Sequence, residues 1–294
     1  MRIGRHVSIA GSLSNASKEA VSIGANTMQI FSSSPRQWKG STLSLSAVAR
    51  FRQERDRHDL APLVIHDNYL INLAAKEGTV RDLSIAAFRE ELQRAIILEA
   101  DFLVAHPGNY REQTLEQGLF NIVQGMAIAS AGIDTKGLTV LLENTVGAGG
   151  GFQVGGKFEE LKVLRDFAIE HTSLQIGFCI DTCHLHASGY DLATEAGAKA
   201  TLAELGRVLG FENIHVIHAN DSKTPLGSHV DRHANIGKGY IGEQGFRRIL
   251  THPKLRQKPF LLETPVDEPG DDRREIETVK SLCRKSRTTT TKSS

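Results

Sequence analysis

The sequence of 294 residues lacks several features that define specialised classes of protein. It contains three cysteines, an odd and small number that does not suit a disulfide framework, and it opens without the apolar segment of a secretion signal. We therefore expect a reduced, cytoplasmic environment. No apolar run approaches the roughly 18 residues needed to cross a bilayer, so we expect no membrane-spanning role.

The chain also lacks an excess of charge of either sign. Thirty-five Lys and Arg residues oppose 34 Asp and Glu residues, for a formal net charge of +1. No global cationic field therefore indicates a nucleic-acid or membrane partner, and any contact with a polyanion must be local. The last residues, 281–294, are polar and basic, which predicts a disordered tail after a catalytic domain that spans residues 1–280.

What the sequence does contain is a regular series of short apolar runs, separated by segments with helical periodicity such as Asp82–Glu99 and Phe158–Ile169. Eight such βα units predict an α/β fold, a single (β/α)₈ TIM barrel. An open parallel sheet is the alternative, because periodicity alone does not separate the two architectures. The runs are His6–Ala10, Thr27–Phe31, Leu63–His66, Phe102–His106, Thr139–Glu143, Gln175–Ile180, Ile214–His218 and Phe260–Glu263.

Six of these runs end on, or directly before, a residue that can bind a metal ion. The carboxyl ends of barrel strands meet at one mouth, so these side chains would face a common centre. Carboxylates that lose water together need a cation to stay ionised, which predicts a divalent metal. The six residues are His66, His106, Glu143, Asp181, His218 and Glu263.

Three more candidate ligands follow strands six and seven: His184, Asp231 and His233. Mixed nitrogen and oxygen ligands suit zinc, with manganese or iron as weaker candidates. Nine candidates exceed the needs of one ion and predict two or three, which favours phosphoester hydrolysis. Cys179 and Cys183 are interpreted as structural, since no further thiol pair completes a tetrahedral site. Phosphate-binding and dinucleotide-binding glycine motifs are missing, so we expect no nucleotide cofactor.

Four stretches of the sequence resemble the signature sequences of the endonuclease IV family, and the likeness extends over nearly the whole chain except the tail. The resemblance implies a (β/α)₈ apurinic/apyrimidinic endonuclease of DNA repair that uses three zinc ions per chain, with Mn²⁺ or Fe²⁺ possible at one site. The stretches are HDNYLINL at 66–73, LLENT at 141–145, CIDTCH at 179–184 and VDRHANIG at 230–237.

The resemblance also implies roles for the nine ligands, with Glu143 and Glu263 as catalytic carboxylates in a trinuclear zinc hydroxide mechanism. The substrate would be double-stranded DNA with an abasic site, cut 5′ to that site by a monomer, to leave a 3′-hydroxyl and a 5′-terminal sugar phosphate. The first ion would bind His66, His106 and Glu143, the second Glu143, Asp181, His218 and Glu263, and the third His184, Asp231 and His233.

The same resemblance implies that the loops after strands two and three carry the residues that contact DNA. A bulky side chain can hold the base stack open beside a missing base, and an arginine can fill the gap while it contacts phosphate. We therefore assign DNA binding to Arg36, Tyr69 and Leu70, and leave Trp38 open between base contact and loop packing.

Two other functions compete with this interpretation. Metal-dependent TIM-barrel sugar isomerases also place Glu, Asp and His at strand ends, but they have no obvious use for the Asp231 and His233 cluster or for Tyr69 and Leu70. A zinc-dependent DNA-binding module without catalytic activity would have little use for a bridging carboxylate beside an open metal position.

Overall fold

Parallel strands close into an eight-stranded barrel in the computed structural model, which describes residues 1–147 and 151–283. The strands follow chain order around the ring, and the first pairs with the last to close it. The closed ring confirms the predicted (β/α)₈ barrel against the open sheet. The strands are β1 (Ile3–His6), β2 (Thr27–Phe31), β3 (Leu63–His66), β4 (Phe102–Ala105), β5 (Thr139–Glu143), β6 (Gln175–Asp181) and β7 (Ile214–His218), then a short hairpin of β8 (Asp221–Ser222) and β9 (His233–Ala234), and finally the barrel strand β10 (Phe260–Leu262).

Helices surround the barrel, and the two segments with predicted helical periodicity are both helical. The helix predicted over Asp82–Glu99 spans Thr79–Leu98, because Glu99 adopts a left-handed conformation with φ of 52° that ends it. The helices are α1 (Leu13–Ser22), α2 (Leu45–Arg57), α3 (Thr79–Leu98), α4 (Leu115–Ser130), α5 (Phe158–His171), α6 (Thr182–Ala187), α7 (Glu195–Val208), α8 (Gly242–Thr251) and α9 (Asp271–Leu282).

The prediction for the first strand was wrong. The sequence pattern placed it at His6–Ala10, whereas β1 covers Ile3–His6. Pairing explains the difference: His6 is already aligned with Gln29 of β2, and the amide of Val7 makes a last bond to the Gln29 carbonyl at 2.9 Å. Residues 7–10 therefore lie in the loop at the mouth, although their apolar pattern resembles a strand.

The interior of the barrel contains a layer of fully buried side chains, one from each of six strands. Each of them lies two residues before a predicted metal ligand. Side chains alternate between the two faces of a strand, so a ligand two positions further on also faces inward, at the mouth. Cys179 belongs to this layer and packs there among apolar side chains. The layer comprises Val64, Val104, Leu141, Cys179, Val216 and Leu261.

The last helix continues to Leu282, so the first residues of the predicted tail belong to α9. Residues 284–294, the rest of that predicted tail, lie outside the described residues. Within the described ranges, no helix combines the length and the apolar character needed to cross a membrane.

We expect Leu141→Ala to lower the free energy of unfolding by about 2–5 kcal/mol, because it opens a cavity in the closed interior layer. Val163→Ala is the matched control: Val163 lies on α5 with 53% of its surface exposed. Its effect should stay within about 0.5 kcal/mol. Chemical denaturation measured by circular dichroism distinguishes the two, and equal losses would contradict the assignment of Leu141 to the core.

Candidate metal centre

The carboxylate of Glu143, at the end of β5, lies at the centre of the barrel mouth with 1% of its side chain exposed. Its Oε2 atom lies 3.1 Å from Nε2 of His66 and 3.1 Å from Nε2 of His106. Its Oε1 atom lies 2.9 Å from Nδ1 of His218. One carboxylate thus faces imidazoles at the ends of β3, β4 and β7, because each occupies an inward-facing position at the mouth.

A second group of candidate ligands consists of Glu143 and residues at the ends of β6, β7 and β10. Ligand atoms of Glu143, Asp181, His218 and Glu263 all lie within 4.8 Å of one another. Asp181 and His218 are fully buried, and Nδ1 of His218 lies 3.5 Å from Oε2 of Glu263. The two groups therefore meet at Glu143, whose two oxygens face different sets of partners.

The third group comes from loops and from the first turn of α6. Asp231 directs one carboxylate oxygen to Nε2 of His233 at 3.1 Å and the other to Nε2 of His184 at 3.3 Å. Asp181 lies 3.7 Å from Nε2 of His233 and connects this group to the second. Asp231 has 47% of its side chain exposed, so this part of the centre faces the solvent.

Three histidines use the ring nitrogen that faces away from the centre to donate to a backbone carbonyl, and these bonds fix the orientation of the rings of His66, His184 and His233. Nδ1 of His66 donates to the carbonyl of Asp67 at 2.8 Å, and Nδ1 of His184 donates to the carbonyl of Asn144 at 2.8 Å. Nδ1 of His233 lies 3.2 Å from the carbonyl of Glu263. Histidines that bind metal commonly donate the second ring N–H in this way, which fixes the orientation of the ring and leaves the other nitrogen directed at the ion.

The residues therefore fit a metal ion. Two ligands of one tetrahedral zinc ion lie about 3.3 Å apart when each bond is about 2.0–2.1 Å. The separations of 2.9–3.7 Å between imidazole nitrogens and carboxylate oxygens match that value. Nε2 of His233 is buried, and its 3.1 Å contact with Asp231 does not have the geometry of a hydrogen bond, which suits a nitrogen that binds a cation.

The charge state of the carboxylates supports the same conclusion. Burial opposes ionisation of Glu143, but the imidazoles of His218 and His106 hold its pKa well below the usual range. Burial also opposes ionisation of Glu263 and Asp231, but neighbouring histidines lower the pKa of both carboxyl groups. Glu143, Glu263 and Asp231 are therefore ionised, which is the form that binds metal, whereas burial raises the pKa of Asp181.

Cys179 and Cys183 lie close to these ligands. Burial raises the pKa of Cys179 to about 12, and burial also raises the pKa of Cys183. Sγ of Cys183 lies 3.7 Å from the carbonyl of Arg232. All three cysteines of the chain are free thiols, and the structural role of these two stays a prediction.

Sequence reasoning missed Gln29, a buried side chain in the middle of β2. Its Nε2 donates to Oε1 of Glu263 at 2.6 Å, and its Oε1 accepts from Nε2 of His218 at 2.7 Å. One amide therefore orients two of the candidate ligands. A polar residue inside the apolar run Thr27–Phe31 was the signal that could have identified it.

Asp221 was also missed, although it is fully buried and organises the loops that hold the third group. Its carboxylate accepts backbone N–H bonds that fold the chain after β9 against β8, next to His233. No motif marks such a role, because its partners are main-chain groups. The donors are the amides of Ser222, Gly237, Gly239, Ile241 and Gly242, at 2.8–3.2 Å.

The predicted DNA-contacting residues lie at the rim of the same mouth. Tyr69 is 67% exposed, and its ring meets that of Phe31 edge-on at 5.1 Å. Arg36 is exposed and Leu70 is half-buried. Trp38 packs partly against the hydrophobic core, which favours loop packing over base contact.

Comparisons with known proteins agree with this fold and centre. A family model described as a xylose isomerase-like TIM barrel matches residues 17–284. The chain is 55% identical to a probable endonuclease 4 of Solibacter usitatus, over 96% of this chain and 97% of that protein. Endonuclease IV from Thermus thermophilus superimposes with a TM-score of 0.84 at 37% identity, over 96% of this chain and 98% of that chain.

The fold and the family model define the class: a TIM-barrel protein of the xylose isomerase-like family. Within that class, the chain belongs to the endonuclease IV family, and the prediction that it is an endonuclease of that type is confirmed. A D-tagatose 3-epimerase-like protein shares the barrel with a TM-score of 0.70 at 20% identity, over 96% of this chain and 97% of that chain. That likeness shows the fold alone. The shared barrel is therefore the one observation that supports the sugar isomerase hypothesis.

We expect Gln29→Leu to weaken metal binding about 10–100-fold, because it frees His218 and Glu263 from the amide that orients them. Gln175→Leu is the matched control, since Gln175 is exposed at the opposite end of the barrel. Metal content after dialysis against a competing chelator, measured by mass spectrometry, compares the variants. Equal metal retention in both would show that Gln29 does not support the centre.

Proposed function

We propose that this endonuclease hydrolyses the phosphodiester bond 5′ to apurinic/apyrimidinic sites in double-stranded DNA, leaving a 3′-hydroxyl and a 5′-terminal sugar phosphate. The observation that carries the proposal is the convergence of nine nitrogen and oxygen ligands at one barrel mouth. They form connected groups around Glu143, in agreement with the family to which the chain belongs.

Three zinc ions per chain would be held by these groups, with Mn²⁺ or Fe²⁺ as a substitute at one position. Bound divalent ions supply Lewis acidity, which activates water as a nucleophile and neutralises charge on a phosphate. The first position would use His66, His106 and Glu143, the second Glu143, Asp181, His218 and Glu263, and the third His184, Asp231 and His233.

Glu143 and Glu263 are the catalytic carboxylates in this proposal. Glu143 joins two groups, because its Oε2 faces His66 and His106 while its Oε1 faces His218. Glu263 accepts from Gln29, which fixes its orientation at the edge of the cavity. Both side chains are positioned before substrate arrives, so little reorganisation is needed during the reaction.

The cavity above the centre has a volume of about 280 Å³. Ligand pockets for drug-sized molecules start near that size, at about 300 Å³. A single abasic sugar phosphate fits this scale better than a stacked base pair. The cavity is lined by six of the nine candidate ligands, His66, His106, His184, Asp231, His233 and Glu263, together with Arg5, His6, Phe31 and Tyr69.

In this proposal, Arg36, Tyr69 and Leu70 recognise the abasic site. Tyr69 and Leu70 follow β3 directly, and Tyr69 projects into solvent beside the cavity. An aromatic ring in that position can stack on a base next to the gap, and Arg36 can contact the phosphate backbone.

The protein as a whole would act in the cytoplasm as a monomer on DNA, without a nucleotide cofactor. The three free cysteines support a reducing compartment.

A duplex that contains one tetrahydrofuran abasic analogue tests the proposal. The analogue does not undergo β-elimination, so incision on its 5′ side reports hydrolysis. We expect the metal-replete protein to incise this duplex, a chelator to abolish the activity, and added Zn²⁺ to restore it. Gel electrophoresis identifies the cut, and primer extension from the product identifies the 3′-hydroxyl.

Glu143→Gln provides the inactive control, because it keeps the size of the side chain but removes its charge. We expect turnover to fall at least about a thousandfold with circular dichroism unchanged. No incision by the wild-type protein would refute the proposed substrate. Incision that persists after complete metal removal would refute the metal-dependent mechanism.

We expect Tyr69→Ala to reduce the preference for abasic over intact duplex about tenfold, since base stacking on an aromatic ring contributes about 1–3 kcal/mol. Tyr69→Phe should keep the preference, because the ring and not the hydroxyl stacks. Phe120→Ala removes an aromatic ring that is 52% exposed on α4 and should change nothing. Competition binding by fluorescence anisotropy measures the preference, and an unchanged value for Tyr69→Ala would rule out this role.

A further inference from the structure

The loop between β2 and α2, residues 32–44, carries Arg36, and we call it the recognition loop. It is longer than a typical connection in an α/β protein, and a loop of that length ordinarily samples many conformations. In this structure, side chains of α3 and of the loop after β3 form hydrogen bonds with the recognition loop. These contacts are not part of the candidate metal centre.

Arg94 of α3 binds both ends of the recognition loop with one guanidinium group. Its Nη2 donates to the carbonyl of Ser32, its Nε donates to Oγ of Ser32 at 2.8 Å, and its Nη1 donates to the carbonyl of Ser41 at 2.7 Å. The side chain of Arg94 is 7% exposed. Hydrogen bonds from a buried charged group are stronger than neutral ones, so this contact constrains the loop closely.

Glu90, one turn earlier on α3, binds the same loop at Gly40. Its Oε1 accepts from the amide of Gly40 at 2.9 Å and lies 3.9 Å from Nη1 of Arg94. A Cβ atom at position 40 would lie 2.7 Å from that oxygen and 2.9 Å from Cβ of Ser33. The close approach therefore requires glycine at this position.

Asn68 connects the recognition loop to the other predicted DNA-contacting residues. Its Nδ2 donates to the carbonyl of Gln37, next to Arg36, at 3.3 Å, and its Oδ1 accepts from the amide of Leu70 at 2.9 Å. Asn68 is 4% exposed. One buried amide thus connects the loop that carries Arg36 with the loop that carries Tyr69 and Leu70.

We propose that Arg94, with Glu90 and Asn68, is a positioning residue for DNA recognition: it holds the recognition loop so that Arg36 stands beside Tyr69 and Leu70 before DNA binds. This inference rests on the proposed function, because it assigns Arg36 to the DNA. The advantage is preorganisation, since a loop already in its bound conformation loses less entropy on association.

A double-mutant cycle between Arg94 and Arg36 tests the inference in the full-length, metal-replete protein. We expect Arg94→Lys to raise KM for the tetrahydrofuran duplex about tenfold with kcat within about twofold, and Arg36→Ala to do the same. Because Arg94 acts through Arg36, the double variant should have the KM of Arg36→Ala alone, within about twofold. A purely structural role for Arg94 predicts that the two effects multiply.

Arg89→Lys is the matched control. Arg89 lies on the same helix and also donates twice to backbone carbonyls, those of Ala129 and Ala131 at 2.8 Å, but these belong to the end of α4 and the residue after it and not to the recognition loop. We expect a similar change in thermal stability without a change in KM. Hydrogen exchange should increase at residues 32–41 in Arg94→Lys and stay unchanged there in Arg89→Lys.

Gly40→Ala is a second variant that disturbs the same contact without removing Arg94, and it should also raise KM and exchange at residues 32–41. An unchanged KM in Arg94→Lys and Gly40→Ala, beside a raised KM in Arg36→Ala, would overturn the inference. So would multiplicative effects in the cycle, or an unchanged KM in Arg36→Ala. Failure of the proposed function has a different signature, because the wild-type protein would then not incise the duplex at all.

Discussion

The buried carboxylate of Glu143 is the constraint on which the rest of this structure depends. A carboxylate with 1% of its side chain exposed is stable only beside compensating groups. Imidazoles of His66, His106 and His218 approach it at 2.9–3.1 Å, from separate strands of the barrel. The closed ring is therefore needed to compensate this buried charge, because an open sheet would not bring those strands around a common axis.

The centre becomes more exposed from the barrel axis towards the solvent. His218 is fully buried and bonded on both ring nitrogens, whereas Asp231 is 47% exposed on a loop. The outer part depends on backbone contacts that Asp221 accepts, and the recognition loop at the rim is held by Arg94 and Asn68. Strands thus determine the positions of the buried candidate ligands, while buried polar side chains in the surrounding helices and loops hold the loops at the rim.

Periodicity and local chemistry predicted much of this architecture. The predicted bounds of the strands at Leu63–His66, Thr139–Glu143 and Ile214–His218 match the structure, because each run is apolar and ends at a polar residue. The same rule failed at β1, where Val7 and Ile9 continue the apolar pattern beyond the point at which pairing with β2 stops. The propensity of a residue for strands depends on its local sequence, whereas the end of a strand depends on where pairing with the neighbouring strands stops.

The sequence by itself determined which residue types stand at the strand ends, because alternation along a strand and the apolar residue two positions earlier point each of them inward. Only the tertiary structure decided which oxygen of Glu143 faces which imidazole, and which partner orients each ring. It also revealed the parts played by Gln29, Asp221 and Arg94. These depend on hydrogen bonds between residues far apart in the chain, to amides and carbonyls that every residue carries, so no local pattern encodes them.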